Sequence, residues 1–300
     1  MGVHLVDRLL ESERSVRIYD RSPNKFRAVP RGEVEYIEGQ LGDYELTREA
    51  VEGMEVVYHL ASTTVPSTSN DDLNYDVHSN LINTIQLLEF CIEFGVRKVV
   101  FASSVAVYGL PKALPITEDH PTSPISSYGV VKLAIEKYLE LFRYLYGLDY
   151  LALRISNPYG PYQNPMGHQG VVGMFLHRVH KGEPLMVWGD GSALRDYLYI
   201  SDLVDALELA VEIEPRERIL NVGSGRGTSL NKLLRLIAGA VGVEPTVEYL
   251  PARAVDIPIS VLDISRASAE LGWSPKTEIA EGVATTRAWI CALAESKLKS

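Results

Sequence analysis

The sequence predicts an α/β protein: a doubly wound parallel sheet followed by a smaller C-terminal domain. Three observations carry that prediction. Short apolar runs alternate with amphipathic stretches through the first half of the chain, and strand–helix alternation of this kind covers a parallel sheet with helices on both faces. The texture changes after residue 156, where residues 157–170 are rich in Pro, Gly, Asn, Gln and Tyr. Finally, 300 residues with 46% hydrophobic and 23% charged content are enough for two ordinary cores.

Taken in order, residues 4–10 repeat apolar side chains at helical spacing. Residues 16–19, 56–60, 98–102 and 150–154 read as buried strands, and 73–94 and 127–146 as helices between them. Residues 157–170 read as a long loop. Shorter units follow: a helix near 171–180, strands near 185–188 and 197–200, and helices near 202–211, 229–241 and 279–294. The expected division is a first domain of residues 1–156, to which 197–222 return, and a second of 157–196 and 223–300.

Composition excludes several classes. The net charge of −10 and a pI near 5.3 argue against a nucleic-acid polymer, while leaving room for a local basic pocket around a small anion. No run approaches the ~18 apolar residues of a membrane helix. Cys91 and Cys291 stand in apolar segments without CxxC or His spacing, so neither a disulfide framework nor a metal site is indicated. The opening residues lack the basic-then-apolar order of a signal peptide, and a cytoplasmic protein is expected.

Chemistry concentrates at Ser127-Tyr128-Gly129-Val130-Val131-Lys132. Tyr and Lys four apart share one helix face. An ammonium beside a phenol lowers the Tyr pKa from about 10 toward neutrality, which would make Tyr128 a proton acceptor for a sugar or alcohol hydroxyl; a solvent-exposed helix face is the other reading of the spacing alone. The same spacing recurs at Tyr108 and Lys112, but Pro111 keeps that pair out of a helix interior. Ser103-Ser104 ends a strand, where parallel sheets present ligands; simple turn chemistry is the other reading of that pair. Asp20, at the tip of the strand starting at Val16, suits an adenosine ribose and would repel a 2′-phosphate, a preference that the neighbouring Arg21 weakens.

From residue 2 to about 289 the chain resembles the extended short-chain dehydrogenases/reductases, the NAD-dependent sugar epimerase/dehydratase family. The motifs stand in one order: His59-Leu60-Ala61; Val99-Val100-Phe101-Ala102-Ser103-Ser104 through Val107-Tyr108-Gly109; Ser127-Tyr128-Gly129 with Lys132; Arg154 to Asn157 with Tyr159-Gly160-Pro161; Gly189-Asp190-Gly191-Ser192 with Arg195-Asp196-Tyr197; Asn221-Val222-Gly223-Ser224-Gly225; and Leu271-Gly272-Trp273 with Pro275.

The resemblance implies a Rossmann sheet, NAD as cofactor and a UDP-sugar substrate. Tyr128 would take the sugar hydroxyl proton, Lys132 would hold the nicotinamide ribose, and Ser104 would bond the same sugar oxygen. Leu60, Ala61, Ser62 and Ser79 match the cofactor cleft. Gln40-Leu41 stands where the family has Asp-hydrophobic against the adenine. Asn157, Arg195 and Arg253 match the residues on the nucleotide diphosphate, and Asp256 points toward the uridine ribose. Arginine forks pair bidentately with phosphate oxygens, which reconciles an acidic protein with an anionic substrate. Family members open with a strand and Gly-x-x-Gly-x-x-Gly. This chain holds the last glycine, Gly2, so the expected sheet lacks its first strand. The resemblance also implies a homodimer joined through the helices at 73–94 and 127–146.

Dehydratases of the family carry Asp-Glu directly after the Ser/Thr, decarboxylating members a Glu, and 3,5-epimerases a nearby Cys. Here Val105 and Ala106 follow Ser104. With Tyr128 as the proton carrier, the resemblance implies C4 epimerisation of a UDP-hexose: hydride removal at C4, rotation of the 4-keto sugar and hydride return. Ser260, seven after Arg253, stands where a Tyr would exclude N-acetyl sugars, so UDP-GlcNAc/UDP-GalNAc are expected beside UDP-Glc/UDP-Gal. An NAD(P)H-dependent keto-sugar-nucleotide reductase and a non-catalytic cofactor-binding relative are the alternatives.

Overall fold

The computed structural model describes residues 1–298 apart from 25, 28, 30–33, 168 and 253–256. Its strands are β1 (Val16–Asp20), β2 (Val34–Glu38), β3 (Val56–His59), β4 (Lys98–Ser104), β5 (Asp149–Ile155), β6 (Asn157–Tyr159), β7 (Leu185–Trp188), β8 (Leu194–Tyr199), β9 (Ile219–Val222), β10 (Gly227–Ser229), β11 (Val247–Leu250) and β12 (Ile259–Ser260). The helices are α1 (Gly2–Glu11), α2 (Tyr44–Val51), α3 (Leu73–Asp76), α4 (Asn83–Glu93), α5 (Ser127–Tyr146), α6 (Val171–His180), α7 (Ile200–Glu212), α8 (Leu230–Val241), α9 (Ser265–Leu271) and α10 (Ile279–Leu298).

Among the described residues the parallel array comes in two sections, β1-β2 and β3-β4-β5-β9, with no ladder between them. In a doubly wound order the expected first strand lies between these sections. The two faces of β4 show why the central section is stable. Val99 and Phe101 turn to one side, where α4 and α5 supply Leu87, Leu88, Cys91, Val131, Ile135 and Leu139. Val100 and Ala102 turn to the other, against Leu203, Val204 and Leu207 of α7 and Leu5 of α1. A strand buried on both faces reads as a continuous apolar run because successive side chains alternate sides.

Beyond residue 156, β8 organises the chain. It pairs with β6, β10 and β12, and β7 pairs with β11. Phe175, Leu176, Val187, Leu233, Ile237 and Val283 fill a separate core there. Among the described residues, no helix is long and apolar enough to cross a membrane.

Several elements differ from expectation: α2, β6, β9, β10, β11, β12 and α9 are not among those expected, and β6 opens the stretch read as a loop. β2 is not among the expected strands: in Val34-Glu35-Tyr36-Ile37-Glu38 both glutamates are exposed, but adjacent Tyr36 and Ile37 are half-buried and buried, so the strict alternation that marks a strand in sequence is missing. The helix expected at 73–94 is broken by a π-helical turn at Val77–Ile82. Its cause is a run of side chains bonding carbonyls one turn back: Ser79 to Tyr75 (2.6 Å), Asn80 to Asp76 (3.2 Å), Asn83 to Ser79 (3.3 Å) and Thr84 to Asn80 (2.5 Å). Such bonds compete with the regular ladder, and helices widen locally where they accumulate.

Candidate active site

β4 delivers Ser104 to the carboxyl end of the sheet, and the chain then tightens into a 3₁₀ turn at Val105–Tyr108. The Ser104 Oγ caps that turn, accepting from the Ala106 N–H at 3.2 Å. α5 starts beside it, its N-terminus capped by Ser126 Oγ, which accepts from the Gly129 N–H at 3.2 Å. The contact is close because residue 129 is glycine: a Cβ there would lie 2.6 Å from the Ala106 carbonyl oxygen. Sequence and packing thus bring Tyr128 to Ser104, near enough for the serine hydroxyl to act on the phenol.

One turn along, Lys132 is buried, with Nζ donating to the Ala102 carbonyl at 2.8 Å. Nζ lies 5.6 Å from the centroid of the Tyr128 ring and 4.7 Å from that of Phe101. The predicted triad is therefore assembled. Its electrostatics correct the expectation of a depressed Tyr128 pKa. Burial pushes the phenol above its ordinary value; the neighbouring Ser104 side chain opposes that shift and the Asp76 carboxylate adds to it. Burial also brings the Lys132 ammonium down to about 8, against the upward pull of Asp76 and Glu136. Desolvation outweighs the pairing that the Tyr–Lys spacing implies.

Beneath the triad lies a polar network that the sequence reading missed. Glu136 accepts from Arg154 through both oxygens (3.0 and 2.7 Å) and from the Ser103 hydroxyl (2.5 Å). Arg154 also donates to the Tyr108 hydroxyl, which donates to Asn221. On the other side, Asp76 Oδ1 accepts from the Thr64 hydroxyl and the Asn80 amide, while its Oδ2 is buried without a partner. His59, bonded to Thr84 at 2.8 Å, is pushed down to about 3 by burial and the Lys132 charge, and so is neutral. Asp76 and Asn80, four apart on one helix face, were the available sequence signal.

At α1, Gly2 opens onto a cavity of about 390 Å³ lined also by Ile18, Asp20, Phe26, Tyr36 and Tyr162. Nothing lies within 4 Å of where a Gly2 Cβ would stand, and no side chain caps the helix start. Free N–H groups at an open helix N-terminus fit a dinucleotide pyrophosphate. Asp20 is exposed at the tip of β1, its carboxylate accepting from the Ser22 N–H at 3.3 Å, with Arg21 exposed beside it. Leu60 is half-buried and Ala61 and Ser62 are exposed beyond β3. Gln40 is exposed with its carbonyl bonded to Tyr19, whereas Leu41 packs into the core. The Ser79 hydroxyl is engaged by Tyr75 and Thr63.

The substrate candidates gather on β8. Arg195 lies opposite Ser260 in the β8–β12 register, and Asn157 Nδ2 donates to the Asp196 carbonyl at 2.9 Å. Ser260 is buried. Arg195 is half-buried and bonds the Leu194 carbonyl at 2.9 Å. Arg253 and Asp256 lie outside the described residues.

This fold and site define an α/β protein of the parallel-sheet nucleotide-binding class, with Ser104, Tyr128 and Lys132 grouped at the sheet's carboxyl edge. The chain belongs to the NAD dependent epimerase/dehydratase family, whose model matches residues 1–223. The UDP-glucose 4-epimerase of Mycolicibacterium smegmatis is 39% identical over 293 residues, covering 95% of this chain and 94% of that one. The UDP-glucose 4-epimerase of Thermotoga maritima, solved with UDP-glucose, is 35% identical with a TM-score of 0.91, covering 98% and 96% of the two chains. The Thermus thermophilus UDP-glucose 4-epimerase, solved with NAD, is 36% identical with a TM-score of 0.90, covering 97% and 95%.

Proposed function

We propose that this protein is an NAD-dependent UDP-hexose 4-epimerase. The observation that carries the reading is the assembled Ser104–Tyr128–Lys132 set at the end of β4, with no second acid–base group at Val105 or Ala106. When bound, NAD would supply a hydride acceptor and donor at sugar C4, and epimerisation follows where the 4-keto sugar presents its other face for reduction. Tyr128 takes the C4 hydroxyl proton and gives it back, Ser104 holds that oxygen, and Lys132 holds the nicotinamide ribose. Elimination of water needs a further proton carrier, which two alkyl side chains do not provide.

The cofactor is assigned to residues 1–156 with 197–222, along Gly2, Asp20, Arg21, Gln40, Leu41, Leu60, Ala61, Ser62 and Ser79. The sugar nucleotide is assigned to 157–196 and 223–300, with Asn157, Arg195, Arg253 and Asp256 on its UDP portion and Ser260 beside the sugar C2 substituent. The working form is read as a cytoplasmic homodimer. The test is conversion of UDP-galactose to UDP-glucose, resolved by chromatography. Tyr128→Phe should lower turnover by about a hundredfold or more, as loss of a general base does; unchanged turnover refutes the assignment.

A further inference from the structure

Two buried carboxyl groups, Glu136 and Asp76, act on Lys132, and they are differently engaged. Glu136 is committed: both its oxygens accept from the Arg154 guanidinium, so its charge is compensated. Asp76 is not. It is fully buried at the end of α3, and Thr64 and Asn80 both donate to the same oxygen, Oδ1. Oδ2 is left buried with nothing bonded to it. A buried carboxylate oxygen in that condition calls for an explanation, because desolvated acceptors are normally satisfied.

α3 and the π-helical turn pack against α5, and the Ser127 N–H donates to Asn70 at 2.9 Å, tying the two segments together at the Tyr128 end. The titratable groups around this junction are Tyr128, Lys132 and Glu136 on α5, Asp76 on α3, His59 on β3 and Arg154 on β5. His59 is neutral, and Arg154 is spent on Glu136. That leaves Asp76, a buried carboxyl group with one unpartnered oxygen and no ion pair among the described residues, and one buried ammonium, Lys132, which bonds a single carbonyl although an ammonium has three protons to donate.

We propose that Asp76 is a positioning residue for the proton-transfer pair, its free carboxylate oxygen keeping Lys132 charged and delaying loss of the Tyr128 proton. The electrostatics agree in sign: the Asp76 charge acts upward on both groups. The proposal rests on Tyr128 as the proton carrier, so its test has a readout that does not need turnover. Ultraviolet difference titration of the protein against its Tyr128→Phe variant isolates the ionisation of that one phenol. In Asp76→Asn the midpoint should fall by roughly one pH unit, the order expected when a nearby charge is removed. The acid limb of kcat/KM for epimerisation should move the same way.

Thr64→Val removes a hydrogen bond to Asp76 but keeps its charge, and should leave the midpoint in place. Asp76→Ser carries the same expectation as Asp76→Asn should the latter not fold. An unmoved Tyr128 midpoint in a folded neutral variant overturns the proposal, as does an equal shift in Thr64→Val. A shifted midpoint without any epimerisation would instead leave Asp76 in its role and remove the catalytic reading.

Discussion

Ser260 shows how much a single side chain decides. It is buried on β12 with its backbone in register with Arg195, so whatever stands at 260 shares a face with a proposed diphosphate ligand. Serine leaves there the room that a tyrosine ring would fill. The wild-type protein is therefore expected to interconvert UDP-GlcNAc and UDP-GalNAc as well as the unsubstituted pair. Ser260→Tyr should abolish turnover of the N-acetyl sugars while keeping UDP-galactose activity, because a bulky side chain discriminates by clash against the larger substituent. Assays of both pairs on both proteins check this; absence of N-acetyl activity in the wild type would sink it. At this scale the sequence was legible for residue identity but not for environment. The Tyr128–Lys132 spacing located the pair, yet the direction of the Tyr128 shift depends on burial, which a spacing does not contain.

The elements repeat that lesson in backbone terms. α5 was legible from end to end, since its apolar periodicity, the capping Ser126 and the terminating Gly147 are all local features. The π-helical turn was not, because its cause is four polar side chains that could as well have faced solvent. β2 escaped because it is short and its pattern breaks alternation at Tyr36-Ile37. Asp76 and Asn80 look ordinary until the helix bearing them is packed on α5. Gly129 ties this scale to function. A Cβ at that position would meet the Ala106 carbonyl at 2.6 Å and Pro124 at 2.9 Å, so one backbone must move. Gly129→Ala should destabilise the protein by about 1–3 kcal/mol, the usual cost of overpacking, and should lower kcat by separating Tyr128 from Ser104. Thermal unfolding and turnover measured together check it; a wild-type melting point with wild-type kcat would show that the close approach is dispensable.

Across the whole molecule, the distribution of apolar surface departs from what its average charge suggests. A protein of net charge −10 should repel its own copies, yet large apolar side chains stand exposed along two adjoining segments. On α5, Val130, Leu141 and Leu145 fall eleven and four residues apart, which puts them on one helix face, and Leu145 is 53% exposed. On α3 and the turn after it, Leu73, Val77 and Ile82 are also exposed. Both segments carry the site on their inner sides, Tyr128 and Lys132 on one and Asp76 on the other, so pairing of the outer faces would stiffen the frame that holds the proton carriers. Exposed apolar side chains grouped on adjoining segments favour an interaction surface, and the proposed homodimer predicts that the same face of a second copy covers them in a two-fold arrangement. Light scattering should give a mass twice 33.3 kDa. Leu141→Glu with Leu145→Glu should give the monomer, with lowered turnover and a lowered melting point. A wild-type protein that scatters as a monomer at micromolar concentration would refute the dimer.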